Sequence, residues 1–307
     1  MNTINNINEY KATPCVATIG SFDGVHLGHK ALLDELRKKA AEQSLPVTVI
    51  TFSRHPRQLF KKECEPFLLS ADNEKTALLK ECGVDTIVML DFDQEMAAMS
   101  AKEFMEEILA KRLAVKILAI GHDHHFGRPQ ENEGVENYIN YGKELGIEVF
   151  QASKFEIDNE KVCSSTVRKA LAEGNIALAC KILGHDYTIS GTVVKGAGIG
   201  RQLGFPTANI KLDEPMKLLP QDGVYEVEIT LKDKQYEGVM NIGVKPTIAK
   251  GLERTIEVYI LDFSGDIYGE RTTINVVRRL RGELNFDNIN ALKFQIEVDV
   301  ARVRRKI

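Results

Sequence analysis

Two histidines, three residues apart, lie where an apolar stretch gives way to a helical one. The segment GSFDGVHLGHKALLDELRKKA begins at Gly20 and follows CVATI, a β-branched run typical of a strand. Its glycines let backbone approach a ligand closely, and a helix N-terminus presents free N–H groups. His26 and His29 could add hydrogen-bond donors to phosphate oxygens, so the segment predicts an anion site. The alternative is a pair of imidazoles that only cap the helix.

Two later segments of the first half carry similar chemistry. Gly121 and Asp123 follow a strand-like run in AIGHDHHFG. The aspartate could contact a ribose or a magnesium ion, and the alternative is that it only forms a turn. The segment SSTVR groups hydroxyls and a guanidinium at a helix start, which suits a triphosphate but also an ordinary N-cap. Metal binding by the histidines is disfavoured, because no fourth ligand of zinc type accompanies them.

The second half contains a glycine-rich string, VVKGAGIGRQLGFPTANI. Its glycines predict a flexible flap. Thr207 and Asn209 are two residues apart, so on an extended segment their side chains point to one face. A hydroxyl and an amide oxygen are hard ligands, suited to a magnesium ion shared with ATP phosphates.

The elements around these segments change type near residue 185. Up to there, short apolar runs alternate with helical ones, which predicts βαβ units and a parallel sheet, with Ser100 and Glu103 at capping-box spacing. From Tyr187 onward, short alternating runs predict an antiparallel barrel or sandwich, followed by a helix that could plug one end. We therefore expect an α/β domain over residues 1–185 and a smaller β domain over residues 186–307.

Bulk properties narrow the classes of function. The 307 residues carry a formal net charge of -4, which gives no general attraction to nucleic acid or to an anionic membrane surface. No apolar run is long enough for a membrane span, and the N-terminus does not resemble a secretory signal. The five scattered cysteines form no C-x-x-C and favour reduced thiols. We expect a cytoplasmic protein that acts on small molecules and is a monomer by default.

The motifs together resemble a known family. GSFDGVHLGH resembles the H-x-G-H signature of nucleotidyltransferases, and SSTVR resembles their second signature. GFPTAN, GVYEVEI, MNIGVKPT, IEVYILDF, IYGE and LRGELNF resemble riboflavin kinase and occur in that family's order. In this order and over nearly the whole chain, the modules resemble the bacterial bifunctional riboflavin kinase/FAD synthetase.

The resemblance implies a Rossmann-like nucleotidyltransferase domain, a riboflavin kinase barrel, and roles for particular residues. Glu257 matches the general base of the kinase, and His26 and His29 match groups that contact the triphosphate during adenylylation. The ATP site of the adenylyltransferase would comprise Gly20, Ser21, Phe22, Asp23, His26, Gly28, His29, Gly121, Asp123, Ser164, Ser165, Thr166 and Arg168. The ATP site of the kinase would comprise Gly196, Gly198, Gly204, Pro206, Thr207 and Asn209, the last two holding Mg²⁺. The flavin would be bordered by Phe52, His55, Pro56, Phe126, Arg281, Glu283 and Phe286.

The function so implied is phosphorylation of riboflavin to FMN by ATP, followed by adenylylation of FMN to FAD with release of pyrophosphate. One departure makes the second step less secure than the first: Gln130 and Glu131 stand where the family has an arginine, whose loss could weaken binding of the flavin phosphate, and Arg128 is a candidate substitute. Two alternatives stay open at this level. One is a kinase with a decayed first domain, and the other is a flavin or nucleotide sensor acting on nucleic acid, which the acidic balance disfavours.

Overall fold

The computed structural model describes residues 1–7, 10–53, 67–122, 126–128, 133–158, 160–196, 198–247 and 251–305. Its contacts divide the chain into two compact units. The first comprises Met1–Cys64 and Asp72–Val162, and the second comprises Glu65–Ala71 and Cys163–Ile307.

The first unit is built on a six-stranded parallel sheet in the order β1-β4-β3-β2-β5-β6. Its strands are β1 Asn2–Ile4, β2 Cys15–Ile19, β3 Val47–Phe52, β4 Thr86–Leu90, β5 Val115–Ile120 and β6 Glu148–Gln151. Its helices are Leu27–Gln43, Asp72–Glu81, Gln94–Ala98, Ala101–Phe104 running on into Met105–Arg112, and Val135–Leu145. A two-stranded hairpin, β7 Glu156–Ile157 and β8 Glu160–Lys161, follows the sheet.

The sheet is covered on both faces, which explains the apolar runs of its central strands. Alternate residues of β2 enter different clusters: Ala17 packs with Phe104 and Leu109, whereas Val16 packs with Leu33. The α/β prediction for this half is therefore confirmed.

The first unit contains two elements that were not predicted and one predicted capping box. The N-terminal Asn2–Ile4 was not predicted as a strand, and it forms β1 because β4 offers it an edge for parallel pairing. The predicted capping box is present: Ser100 Oγ accepts from Glu103 N, and Ser100 N donates to Glu103 Oε2 at 2.8 Å. The helix it starts continues as a π-helix over Met105–Arg112, which periodicity did not indicate.

The second unit holds a closed antiparallel barrel in the order β10-β13-β12-β11-β14-β9. The barrel form was one of two predicted arrangements. The strands are β9 Tyr187–Val194, β10 Thr207–Leu212, β11 Gly223–Leu231, β12 Lys234–Thr247, β13 Gly251–Ile260 and β14 Arg271–Arg281. Its helices are Ser164–Ala172, Ile176–Leu183, the short Ile199–Gln202, and the terminal Ile289–Arg305.

The two helices before β9 belong to the second unit by contact, although the predicted domain boundary follows them. Gln221 N donates to Leu171 O at 2.9 Å, which joins the first of these helices to the segment before β11. Phe67–Ala71 joins the same unit, because the buried Lys217 donates its Nζ to Leu69 O at 2.6 Å. The division of activities at residue 185 stays a prediction.

The terminal helix, which was predicted from its helical spacing, packs on the barrel through a small apolar cluster. Val303 is fully buried against Val224, Val239 and Leu261. This contact holds the terminal helix against the barrel.

Candidate active sites

A cavity of about 360 Å³ opens between the barrel and the terminal helix. Seven of the ten residues predicted for the kinase line it, all but Gly196, Gly204 and Pro206. Glu257 lies on β13, directly opposite Asn209 on β10 and Asn241 on β12. Directly opposite residues of neighbouring strands present their side chains on the same face of a sheet. The barrel therefore brings a carboxylate and two amides together on one wall of the cavity.

Thr207 completes this group. Its hydroxyl donates to Glu257 Oε2 at 3.2 Å, and both side chains are half-buried. Phe205 meets the Tyr259 ring edge-on, with ring centroids 5.3 Å apart, and both line the cavity. The predicted pair Thr207 and Asn209 is thus found together with the predicted base.

The glycine-rich segment shapes this wall in different ways along its length. A Cβ at Gly196 would lie 2.1 Å from Asn209 Nδ2, so only glycine leaves the amide its position. Gly198 has φ +73°, precedes the short helix Ile199–Gln202 and lines the cavity. The flap is therefore partly helical. Gly204 has φ +87° and open space around it, and neither it nor Pro206 is among the residues that line the cavity.

The predicted flavin-bordering residues of the second unit belong to the same cavity. Arg281, Glu283 and Phe286 all line the cavity. A Cβ at Gly243 would lie 2.3 Å from Glu283 Oε1, so that carboxylate rests on the β12 backbone. The Arg281 guanidinium lies 6.0 Å from the Phe286 ring centroid.

Several lining residues were not predicted from sequence. Asn241 lies in a run of alternating apolar and polar residues, and no local sequence signal distinguishes it. Only the register of β12 against β13 shows that it lies opposite Glu257. The others are Gly200, Leu203, Phe205, Val224, Val239, Tyr259, Leu284, Leu292, Ile296 and Asp299. In the sequence, the apolar residues among them have the pattern of ordinary core positions, and the resemblance to riboflavin kinase did not single them out.

In the first unit, the loop after β2 carries the two histidines. Gly20 N donates to Ile50 O at 3.0 Å, and Thr51 Oγ1 donates to Ser21 O at 3.2 Å, which fastens the loop to β3. His26 is the buried N-cap of the helix Leu27–Gln43, and its Nδ1 accepts from His29 N at 3.3 Å. The capping alternative therefore describes His26 in this structure.

The two imidazoles stack on each other, with centroids 3.6 Å apart and planes inclined by 17°. A Cβ at Gly28 would lie 3.1 Å from His26 Nδ1 and 3.3 Å from Val162 O. The glycine therefore leaves room for this ring beside the helix N-terminus.

The same loop holds an unusual concentration of left-handed backbone. Phe22 has φ 48°, Gly24 has φ 84° and Val25 has φ 37°. A β-branched residue at positive φ is a strained outlier, and such strain concentrates at functional sites. Asp23, at the centre of this turn, is buried with 3% exposure.

The second predicted phosphate segment lies in the second compact unit. The helix begins at Ser164 with Cys163 as N-cap, and the Cys163 thiol contacts Ser165 Oγ at 3.0 Å and Thr166 Oγ1 at 3.2 Å. Arg168 Nε donates to Phe67 O at 2.8 Å, so this guanidinium also fastens the segment before Asp72.

The remaining predicted flavin and nucleotide residues are only partly described. Phe52 ends β3 with its ring edge-on to Phe92, and Gly121 follows β5 half-buried. Phe126 is buried in the core, stacked on Tyr138 at 4.5 Å. His55, Pro56, Asp123, Gln130 and Glu131 lie outside the described residues.

Within the described ranges, no group of three or more His, Cys, Asp or Glu side chains could hold a metal ion. The described cysteines Cys15, Cys82, Cys163 and Cys180 are free thiols. Burial raises the pKa of Cys15, Cys82 and Cys180, which keeps these thiols protonated near neutral pH.

Comparison with known proteins agrees with this two-part arrangement. The family model of FAD synthetase matches residues 8–166, and the family model of riboflavin kinase matches residues 183–307. A bifunctional riboflavin kinase/FMN adenylyltransferase of Escherichia coli (strain K12) is 39% identical over 302 residues, covering 98% of this chain and 95% of the relative. One from Pseudomonas fluorescens is 40% identical over 291 residues, covering 94% and 92%.

A solved structure has the same fold throughout. The crystal structure of a protein from Streptococcus pneumoniae, described as a macrolide-efflux protein, is 31% identical with a TM-score of 0.88, and 98% of each chain is covered. Across the ranges that this structure describes, we find no helix long and apolar enough to cross a membrane.

The relatives match almost end to end, and the two family models cover the two halves of the chain in the same order as its sheet and its barrel. This chain belongs to the family of bifunctional riboflavin kinase/FMN adenylyltransferases.

Proposed function

We propose that the two activities of the family are divided in this chain at about residue 185. The barrel over residues 186–307 phosphorylates riboflavin, and residues 1–185 adenylylate the FMN so formed. The observation that carries the proposal is the cavity in which Thr207, Asn209 and Glu257 lie together. This cavity is formed within one compact unit, which supports a complete kinase site in the barrel.

In the kinase site, Glu257 acts as the general base. Its carboxylate faces the cavity and already accepts a hydrogen bond from a hydroxyl, that of Thr207. It takes the proton of the ribityl 5′-hydroxyl as that oxygen attacks the γ-phosphate of ATP. The apolar and aromatic lining beside it suits the flavin ring system, which agrees with the predicted border of Arg281, Glu283 and Phe286.

Magnesium binds in the same cavity, held by Thr207 and Asn209. The donors present are a hydroxyl, an amide oxygen and a neighbouring carboxylate, which are the hard oxygen ligands that Mg²⁺ prefers. With so few protein ligands, the ion would retain waters and phosphate oxygens as further ligands. When bound, it neutralises charge on the phosphates of ATP.

In the adenylyltransferase site, His26 and His29 contact the triphosphate at the N-terminus of the helix Leu27–Gln43. A helix N-terminus attracts anions, and the stacked imidazoles lie at that terminus. Ser164, Ser165, Thr166 and Arg168 hold the β- and γ-phosphates. Catalysis here is positioning and charge stabilisation, without a covalent intermediate.

The division is tested by one substitution in each site. Glu257→Gln should abolish FMN formation from riboflavin and ATP while FAD formation from supplied FMN persists. His29→Asn should abolish FAD formation while FMN formation persists. Products are resolved chromatographically over time. If both variants lose the same step, the partition is wrong, and if the parent enzyme makes FMN but no FAD, its first domain has decayed.

We expect the enzyme to act in the cytoplasm as a monomer without nucleic-acid partners. A sensor acting on nucleic acid should retain RNA or DNA, whereas we expect none to be retained at any salt concentration. Equilibrium sedimentation would reveal an oligomer.

A further inference from the structure

A buried ion pair fastens the terminal helix to the last barrel strand. Arg281, at the end of β14, places Nε and Nη2 each 2.9 Å from Asp299 Oδ2. Asp299 is 1% exposed, and its other oxygen accepts from Gln295 Nε2 at 3.0 Å. Both oxygens of the buried carboxylate are therefore hydrogen-bonded.

Arg281 has a third contact, in the chain segment that follows it. Its Nη1 donates to Gly282 O at 3.0 Å, and its guanidinium lies 6.0 Å from the Phe286 ring centroid. Three nitrogens of this arginine thus contact the protein's own groups, Nε and Nη2 at Asp299 and Nη1 at Gly282 O. In this structure Arg281 links that segment to the terminal helix.

The pair joins two elements that form one side of the kinase cavity. Residues 282–286 contribute Glu283 and Phe286 to the lining, and the terminal helix contributes Leu292 and Ile296. Asp299 lies about one helical turn after Ile296 and itself lines the cavity. A displacement of either element would move an apolar wall of the cavity.

Stability alone is a weak explanation for such a pair. Replacing a buried ion pair by well-packed apolar residues is often neutral or stabilising, whereas removing one partner leaves an uncompensated buried charge. What the pair supplies here is a fixed geometry between β14 and the helix. Fixing a wall in its binding-competent position lowers the ordering cost of binding.

We propose that Asp299 is a positioning residue for the flavin substrate of the kinase. It acts through Arg281, which pairs with Asp299 on the terminal helix and contacts Gly282 and the Phe286 ring. The proposal rests on the proposed function of the cavity. It extends that function to Asp299, whose hydrogen bonds go to Arg281 and Gln295 and not to the predicted base Glu257.

The test is Asp299→Asn in the full-length enzyme. We expect the KM for riboflavin to rise by about tenfold with kcat largely retained, because a displaced wall removes binding common to the ground and transition states. The Kd for riboflavin, measured by quenching of flavin fluorescence, should rise in parallel. The KM for ATP and FAD formation from supplied FMN should not change.

A second variant separates positioning from folding. Arg281→Met combined with Asp299→Leu removes both charges and should restore stability to chemical denaturation. Under the proposal the KM for riboflavin stays raised in this stable double variant. Recovery of the parent KM together with stability would show a merely structural role and overturn the proposal.

The control is an exposed ion pair of the same helix. Arg304 Nη2 lies 2.5 Å from Asp262 Oδ1, with the two side chains 51% and 73% exposed, and neither residue lines the cavity. Arg304→Gln should leave the KM for riboflavin unchanged. If Glu257→Gln retains full kinase activity, the cavity assignment fails. If Glu257→Gln is inactive and Asp299→Asn keeps the parent KM and Kd, only the positioning role fails.

Discussion

Gly196→Ala tests whether the glycine-rich segment serves the kinase by leaving space for Asn209. The new Cβ would lie 2.1 Å from Asn209 Nδ2, 2.4 Å from Cγ and 2.5 Å from Oδ1, so all heavy atoms of the amide group must move. Reaching an ordinary contact of 3.4 Å from 2.1 Å requires a displacement of about 1.3 Å (3.4 minus 2.1). A misplacement of about 1 Å can cost about 100-fold in rate, equivalent to about 2.7 kcal/mol of transition-state stabilisation.

We therefore expect kcat/KM for riboflavin phosphorylation to fall by about 100-fold in Gly196→Ala. The backbone of Gly196 is not in the left-handed region, and the loss of chain entropy in the unfolded state favours alanine by about 0.4–1 kcal/mol, so the protein should still fold. FMN formation is followed chromatographically, and FAD formation from supplied FMN is the internal control.

The matched control is Gly134→Ala, because a Cβ there has nothing within 4 Å. Asn209→Ala should reduce phosphorylation, and adding Gly196→Ala to it should cause little further loss, since residues acting through one group are not additive. Parent activity in a folded Gly196→Ala enzyme would refute the reasoning. A full additional loss in the double variant would show that Gly196 acts on something other than Asn209.

Three further predictions concern the first unit. Gly28→Ala should lower the rate of FAD formation from FMN by about tenfold, because the new Cβ would press on the His26 ring. Phosphorylation of riboflavin should not change, and an equal loss of both activities would contradict this. Hydrogen bonds from Ser100 hold the pKa of Glu103 below its usual value in the folded protein. The ionised carboxylate therefore stabilises the fold at pH values above the pKa of the unfolded chain, and this stabilisation is lost as the pH falls through the lowered pKa of the folded protein. In chemical denaturation, Glu103→Gln should have a lower free energy of unfolding than the parent at neutral pH, and the difference should disappear in acid. A difference that does not depend on pH would contradict this reasoning. Burial raises the pKa of Cys15, so iodoacetamide should label it far more slowly near neutral pH in the native than in the denatured chain; equal rates would show that it is exposed.

The alternation of residue types predicted most of the architecture. Central strands such as β2 and β3 are buried on both faces, and this produces the continuous apolar runs that indicate a parallel sheet. The barrel strands bury one face, so Gly223–Leu231 alternates buried and half-buried residues along much of its length. The π-helix after Phe104 and the edge strand Asn2–Ile4 were not predictable in this way, because each depends on what the neighbouring elements offer.

The candidate kinase site was predicted in part. Thr207 and Asn209 share a face because they are two apart on a strand, and that much follows from local geometry. The position of Glu257 beside them came from its resemblance to a family, since a polar residue on an alternating strand is otherwise unremarkable. In the first unit, spacing placed the two histidines at a helix N-terminus, while the capping by His26 and the ring stacking emerged only from the structure.

By itself the sequence determined the two kinds of domain, their order and the segments that carry chemistry, because side-chain periodicity and glycine spacing are local properties. The tertiary structure alone decided which distant residues meet. Asn241 lies opposite Glu257 because of the β12–β13 register, and a shift of one residue would send it to the other face. Asp299 meets Arg281 because the terminal helix packs on the barrel, and nothing within its own helix marks that carboxylate as buried. Cross-strand register and helix packing are long-range outcomes of folding, and they decide which polar groups face the same cavity.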